Sequence, residues 1–280
     1  MEIARGRSFG ITEVFAERMS YFIAITGKGG TGKTTTAALL VKLLVERRCR
    51  PVFAVDADPN TCLDAALGVR VNQTLGQARE ETRELASKGL VSGISKQELL
   101  EMKIAECMVE ADDFDLIAMG RPEGPGCYCY ANNVLKEVLS QKSSQYPFVI
   151  LDNEAGLENL SRRIIQKADL LVFLADPSHQ GLTTVKRLYD LAQEMKVQYR
   201  QLAIIVNRLS DGELPLYSDE IKSATGADWV IGLPENAELA ELGRNGRGVW
   251  PLSPSNPVAE RLSQFLTNAG IPPPKGESQR

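Results

Sequence analysis

The stretch GKGGTGKT at residues 27–34 constrains this chain more than any other. It satisfies the spacing G-x-x-x-x-G-K-[ST]. It also lies between an apolar run, YFIAIT (21–26), and a segment of helical character, KTTTAALLVKLLVERR (33–48). A glycine-rich turn between a strand and a helix is the setting in which that spacing builds a phosphate-binding loop. Its glycines let the backbone wrap closely with N–H groups turned inward, and the helix N-terminus adds partial positive charge. Lys33 is placed to reach the β- and γ-phosphates of a nucleotide, and the Thr34 hydroxyl to ligate Mg2+. The expected ligand set is Gly27, Lys28, Gly29, Gly30, Thr31, Gly32, Lys33, Thr34 and Thr35, with ATP or ADP and Mg2+ as cofactors.

Short apolar runs recur after the loop: PVFAVD (51–56), FDLIAM (114–119), FVILD (148–152), LLVFLA (170–175), LAIIVN (202–207) and WVIGLP (229–234). Near-continuous hydrophobic runs of this length read as strands buried on both faces. Helix-period segments fall between them, at about 131–141, 158–167, 180–196, 216–224 and 235–243. In the third of these, Leu182, Val185, Leu188, Ala192 and Met195 form one apolar face. The expected fold is α/β: a P-loop NTPase with a mostly parallel twisted sheet of about seven to eight strands and helices on both faces. Residues 70–113 interrupt the alternation with two charged helical segments, the second opened by the capping box SKQE (95–98).

One ATPase domain is expected over residues 20–268, preceded by an extension at 1–19 and followed by a flexible polar tail at 269–280. Met19 directly precedes the first strand and is a candidate natural start. The first twenty residues lack the apolar core of a secretory signal, and no apolar run is long enough to span a membrane. The last helical segment, PVAERLSQFLTN (257–268), carries one basic residue and reads as packed on the domain rather than on a lipid surface. A net charge of −4 argues against a broad nucleic-acid-binding face. Five cysteines form no disulfide framework in a chain of 280 residues, so a reducing, cytoplasmic setting is expected. Cys49, Cys62 and Cys107 read as core residues, and His179 as structural. Cys127 and Cys129, one residue apart in GPGCYCYANN (124–133), read from spacing alone as a redox pair, half of a metal site, or incidental thiols.

The second lysine of the loop, Lys28, gives the form G-K-G-G-x-G-K-T-T. That form resembles the deviant Walker A of the MinD/ParA/nitrogenase-iron-protein class of P-loop ATPases. The resemblance implies a homodimer in which Lys28 crosses to the partner's nucleotide and acts as an arginine finger would. VDADPN (55–60) is similar to that class's switch I, which implies that Asp58 positions the attacking water and Asp56 lies near the Mg2+ end. FVILDNEAG (148–156) resembles a Walker B strand with switch II, which implies that Asp152 holds Mg2+ through water. Asn207 ends its strand as the class's adenine-reading asparagine does.

MGRPEGPGCYC (119–129) and LDNEAGLENLSRR (151–163), taken with that loop, resemble the CooC family. Its members are ATPases that assist nickel insertion into carbon monoxide dehydrogenase. The likeness runs from about Ser20 to at least residue 267; the N-terminal extension and Thr31, where valine is usual, depart from it. It implies an ATP-dependent dimer that carries Ni2+, with Zn2+ as competitor, on Cys127 and Cys129 of both chains. Two thiolates are poor sole ligands for an ion that takes four, and a two-fold axis doubles them. The implied client is apo carbon monoxide dehydrogenase or the related acetyl-CoA synthase. Two other readings stand beside it: an iron–sulfur ATPase or cluster scaffold of the same fold, and a partitioning or signalling ATPase whose cysteines are incidental.

Overall fold

The computed structural model describes residues 20–87, 95–121, 127–156, 164, 166–210 and 212–272. Eight strands form one sheet: β1 (Tyr21–Gly27), β2 (Val52–Ala57), β3 (Val109–Glu110), β4 (Phe114–Ala118), β5 (Phe148–Asn153), β6 (Lys167–Ala175), β7 (Gln198–Leu209) and β8 (Trp229–Pro234). Their order is β3-β4-β2-β5-β1-β6-β7-β8, and every pairing is parallel except β3 with β4. The α/β expectation holds. β3 escaped it because two residues are too few to display a period.

Alternation along β1 sorts the two faces. Ile23 and Ile25 enter one core with helix α1 (Lys33–Glu46), helix α2 (Leu63–Ala66) and, from the far end of the chain, helix α9 (Pro257–Asn268). Ala24 enters the other core, with α3 (Leu75–Ser87), α4 (Lys96–Cys107), α5 (Cys127–Lys142) and α6 (His179–Glu194). Both faces of the central strands are therefore covered, which is why their sequences are apolar throughout. Helices α7 (Ser218–Thr225) and α8 (Ala237–Arg244) complete the described set.

Local expectations hold where side chains act on near neighbours. Ser95 and Glu98 form the capping box reciprocally, at 3.1 and 2.8 Å. Leu182, Val185, Leu188 and Ala192 are buried. Of the helix expected at 158–167, residues 158–163 and 165 lie outside the described residues, Ile164 and Gln166 are not helical, and Lys167 already belongs to β6.

Two differences concern the chain's later part. Helix α5 begins at Cys127, four residues before the expected start, so both cysteines of the C-x-C stand in its first turn. The packed body also continues past 268: Ala269 and Ile271 are buried. The buried guanidinium of Arg47, at the end of α1, donates to the carbonyls of Ile271 and Pro272, both at 2.9 Å. It also bonds Ser263 and Thr267 of α9. Five hydrogen bonds from one buried cation hold the C-terminal helix down, and α9 buries Val258, Ala259, Leu262, Phe265 and Leu266. No helix among the described residues is long and apolar enough to cross a membrane.

The chain leaves β1 toward β2 on one side, and returns from β5 to β6 on the other. Such a reversal opens a crevice at the carboxyl ends of the strands. The loop after β1 therefore stands between the ends of β5 and β6.

Candidate functional site

The loop at 27–34 closes on itself before it closes on anything else. The Lys28 carbonyl accepts from the Thr31 hydroxyl at 2.9 Å and from the Lys33 ammonium at 3.2 Å. Helix α1 then starts at Lys33 with no side-chain cap and no acidic residue in its first turn. Its leading N–H groups are left for an anion, as a phosphate site requires. Gly32, the residue before the helix, takes φ +95°, and a Cβ there would lie 2.5 Å from the Asn207 amide nitrogen. That amide donates to the Thr31 carbonyl at 2.8 Å, while its oxygen accepts the Arg208 N–H at 2.9 Å. Asn207 thus clamps the loop from the end of β7, and both halves of its amide are engaged.

Beside the clamp is a pocket of about 280 Å³, lined by Gly32, Thr35, Asn207, Arg208, Asn236 and Leu239 among others. It opens where the ends of β7 and β8 meet the start of α1. A nucleobase attached to phosphates in the loop fits that position. Thr35 is exposed on its wall and Thr34 is half-buried, one position nearer the loop.

On the other side of the loop stand the carboxylates. Asp56 and Asp152 are level on adjacent strands β2 and β5, and both are buried. Asp56 accepts three backbone N–H groups at 2.9 Å, from Asp58, Cys62 and Leu63, and so shapes the turn that follows β2. Burial nevertheless pushes its carboxyl up to about 6. Neither oxygen of Asp152 has a hydrogen-bond partner of ordinary geometry. Burial first, and then the charge of Asp56, push its carboxyl up to about 7, against the pull of the Thr34 hydroxyl and Lys33. A buried carboxylate without a partner requires a compensating charge. Mg2+ and its waters, approached by Thr34, fit that need.

Lys33 is buried, and desolvation holds its pKa below the usual lysine range against the opposing charges of Asp152, Asp58 and Glu154. Asp58 is half-buried, and its carboxylate accepts from the Asn60 backbone and side chain at 2.8 and 2.9 Å. The turn after β2 is thus held by local hydrogen bonds. Beyond β5 the Gly156 N–H donates to the Gly27 carbonyl at 3.1 Å, and the Asn153 amide donates to the Ile25 carbonyl at 2.8 Å. Both tie β5 and its following turn to the loop strand.

Lys28 is partly exposed and lies on the opposite side, 3.8 Å from the Asp176 carboxylate at the end of β6. Of the residues at the ends of β6, β7 and β8, the sequence pointed to Asn207 but not to Asp176, Arg208 or Asn236. The available signal was their position at the carboxyl ends of apolar runs.

Cysteine placement divides. Cys107 is buried, as expected, and its thiol is pushed up to about 12 by burial. Cys49 is half-buried. Cys62 is exposed, which corrects the core reading: it precedes α2, where its N–H rather than its thiol serves the structure. Cys127 and Cys129 are placed by the backbone in the first turn of α5, and their side chains lie outside the described residues. Positions two apart on a helix do not face one another. Among the described residues no group of three or more His, Cys, Asp or Glu is arranged to hold a metal ion. His179 is exposed at the start of α6 with its ring against Tyr217, 5.4 Å between centroids.

Comparison with known proteins agrees with this geometry. The family described as "AAA domain" matches residues 20–204. An uncharacterized ATP-binding protein of Methanocaldococcus jannaschii is 38% identical, over 87% of this chain and 96% of its own length. The carbon monoxide dehydrogenase accessory protein CooC of Rhodospirillum rubrum is 28% identical, over 83% of this chain and 90% of its own. Among solved structures, the septum site-determining protein MinD of Pyrococcus horikoshii, complexed with Mg-ADP, superposes with a TM-score of 0.64. It is 21% identical, with 90% of this chain and 98% of that one covered.

Proposed function

The chain belongs to the AAA-domain family of P-loop ATPases, and from that premise we propose that it is a maturation factor which uses ATP to load nickel into a metalloenzyme. The client is apo carbon monoxide dehydrogenase or the related acetyl-CoA synthase. The metal cargo is held between the C-x-C motifs of two subunits.

The geometry of the site supports this reading of how nucleotide is handled. The loop N–H groups and Lys33 hold the phosphates, and the pocket beside Asn207 takes the base. Thr34 and Asp152 would hold Mg2+, which would supply positive charge to the phosphate oxygens. Asp58, half-exposed beside Lys33, orients the water that attacks the terminal phosphorus. Lys28 acts in the partner subunit, so hydrolysis requires the dimer.

One observation carries the link from nucleotide to metal. Strand β4 leaves the sheet at Met119, whose N–H donates to the Asp56 carbonyl at 2.8 Å. The segment leading to Cys127 therefore starts beside Asp56, at the end of β2. A change at Asp56–Asp58 on binding or hydrolysis moves the root of the cysteine segment. Both thiols can reach one ion once the first turn of α5 unwinds, since helical i, i+2 positions diverge. Four convergent thiolates bind a divalent ion tightly and two do not, so nucleotide state gates capture and release. The likeness to CooC across most of both chains supports nickel as cargo.

The test is metal analysis of anaerobically purified dimer with and without a non-hydrolysable ATP analogue, wild type against Cys127→Ser. One nickel or zinc per dimer in the nucleotide-bound wild type, lost in the variant, is expected. Unchanged metal content in the variant would remove the reading. So would brown protein carrying iron and sulfide, which would assign the cysteines to a cluster.

A further inference from the structure

The two lysines of the loop are sorted to opposite sides by different carboxylates. Lys33 faces the β5 side, where Asp152, Asp58 and Glu154 act on it. Lys28 faces the β6 side and meets Asp176. Strand order dictates this second pairing. β6 is the parallel neighbour of β1, with Gly27 level with Leu174, so the residues just beyond both strand ends emerge together.

Asp176 is itself a built feature. Its Oδ1 accepts the Ser178 N–H at 3.0 Å and also the Ser178 hydroxyl. That hydroxyl in turn caps α6 by accepting the Gly181 N–H at 3.0 Å. Gly181 packs directly under the aspartate: a Cβ there would lie 2.5 Å from the Asp176 carbonyl and 2.7 Å from Oδ1. These contacts fix one carboxylate oxygen and leave Oδ2 toward Lys28, 3.8 Å away. The Ser178 hydrogen bonds and the Lys28 charge outweigh desolvation and hold the carboxyl below its usual range.

We propose that Asp176 is a positioning residue for ATP hydrolysis: it holds Lys28 in cis in the free protomer, and dimer closure transfers the lysine from Asp176 to the partner's phosphates. The proposal rests on the reading of Lys28 as a trans-acting group. A lysine held by a weak, partly exposed ion pair is kept ordered and out of its own phosphate site, yet is easily surrendered to a polyanion. The pair therefore raises the protein concentration at which turnover sets in without entering the chemical step. Exposed pairs of this kind are worth roughly 2–5-fold each. Two lysines move per dimer, so releasing both should favour association by roughly 4–25-fold.

The experiment measures ATP turnover per protomer against protein concentration for wild type, Asp176→Asn, Lys28→Ala and the double variant. Sedimentation with a non-hydrolysable ATP analogue reads dimerisation in parallel. Asn retains an oxygen for the Ser178 N–H, and thermal melting without nucleotide checks that the fold is kept. Asp176→Asn is expected to lower the half-maximal protein concentration roughly 4–25-fold, with maximal turnover and KM for ATP little changed. In the Lys28→Ala background the same substitution is expected to leave dimerisation where it was. An unmoved midpoint with Lys28→Ala inactive overturns the proposal alone. An equal shift in both backgrounds also overturns it, because Asp176 then acts through another group. Full turnover by Lys28→Ala overturns the trans-lysine reading, and the proposal with it.

Discussion

Asp56 and Asp152 stand level on neighbouring parallel strands, and the protein solvates one of them and not the other. Asp56 receives three backbone N–H groups, whereas the Asp152 oxygens are left without a partner of ordinary geometry. Two buried carboxylates this close disfavour double ionisation. Lys33 offsets part of that charge, and a bound Mg2+ would offset more.

That pairing sets a pH dependence. Both carboxyls titrate higher in the folded protein, at about 6 and about 7, than the ordinary aspartate value of 3.8. Between those limits the native state binds more protons than the unfolded chain, so stability falls as pH rises. The favourable contribution is complete below the unfolded value and lost as pH passes the folded ones. Nucleotide-free, metal-free protein should therefore melt at lower temperature at pH 8 than at pH 5, and Asp152→Asn should flatten the profile. Mg2+-nucleotide should reverse the trend by binding the ionised pair. Calorimetry across pH, with and without Mg-ADP, measures both arms.

The Asn207 clamp gives a second expectation. Asn207→Ala removes one hydrogen bond to the loop and should cost about 1 kcal/mol of stability, with a several-fold loss of ADP affinity. Gly32→Ala is worse, since it combines the +95° backbone with a methyl 2.5 Å from the Asn207 amide. About 1–3 kcal/mol is expected from the backbone alone. Gly32→Ala combined with Asn207→Ala should recover part of the loss, the part due to the clash. Denaturant midpoints and ADP titrations separate the terms.

The loop lysines should fail differently. Lys33→Ala removes a buried cation set among Asp152, Asp58 and Glu154 and should abolish nucleotide binding. Lys28→Ala alters a partly exposed side chain and should leave ADP affinity within a few-fold while eliminating turnover. Equal loss of binding in both variants would contradict this division. Fluorescent-nucleotide binding beside steady-state turnover supplies the readout.

Far from the site, Arg47 supplies a stability expectation. Arg47→Met leaves the buried carbonyl of Ile271 and the part-buried carbonyls of Ser263 and Pro272 without their donor. A loss of about 2–4 kcal/mol is expected, or about 4–8 °C in melting temperature for a domain of this size. Protease cleavage of α9 should accelerate, while Mg-ADP binding to the variant at low temperature should persist.

The loop at 27–34, the strand–helix alternation and the placement of Asp152 at a strand end were all legible without coordinates. Each depends on residues close in sequence: glycine spacing, a period of two or 3.6, a capping box closed within four positions. The sequence also made Lys28 and Lys33 distinct, but not why they part company. That was decided when β6 came to lie against one edge of β1 and β5 against the other, delivering Asp176 to one lysine and Asp152 to its neighbour. Tertiary structure likewise left Asp152 dry while Asp56 was wrapped by its own turn, turned Asn207 into a clamp, exposed Cys62, and carried the packed chain to the Arg47 guanidinium beyond residue 268. The physical reason is common to all of these. Desolvation and ion pairing depend on which distant segments become neighbours, and strand order sets that, whereas a local pattern records only its own turn.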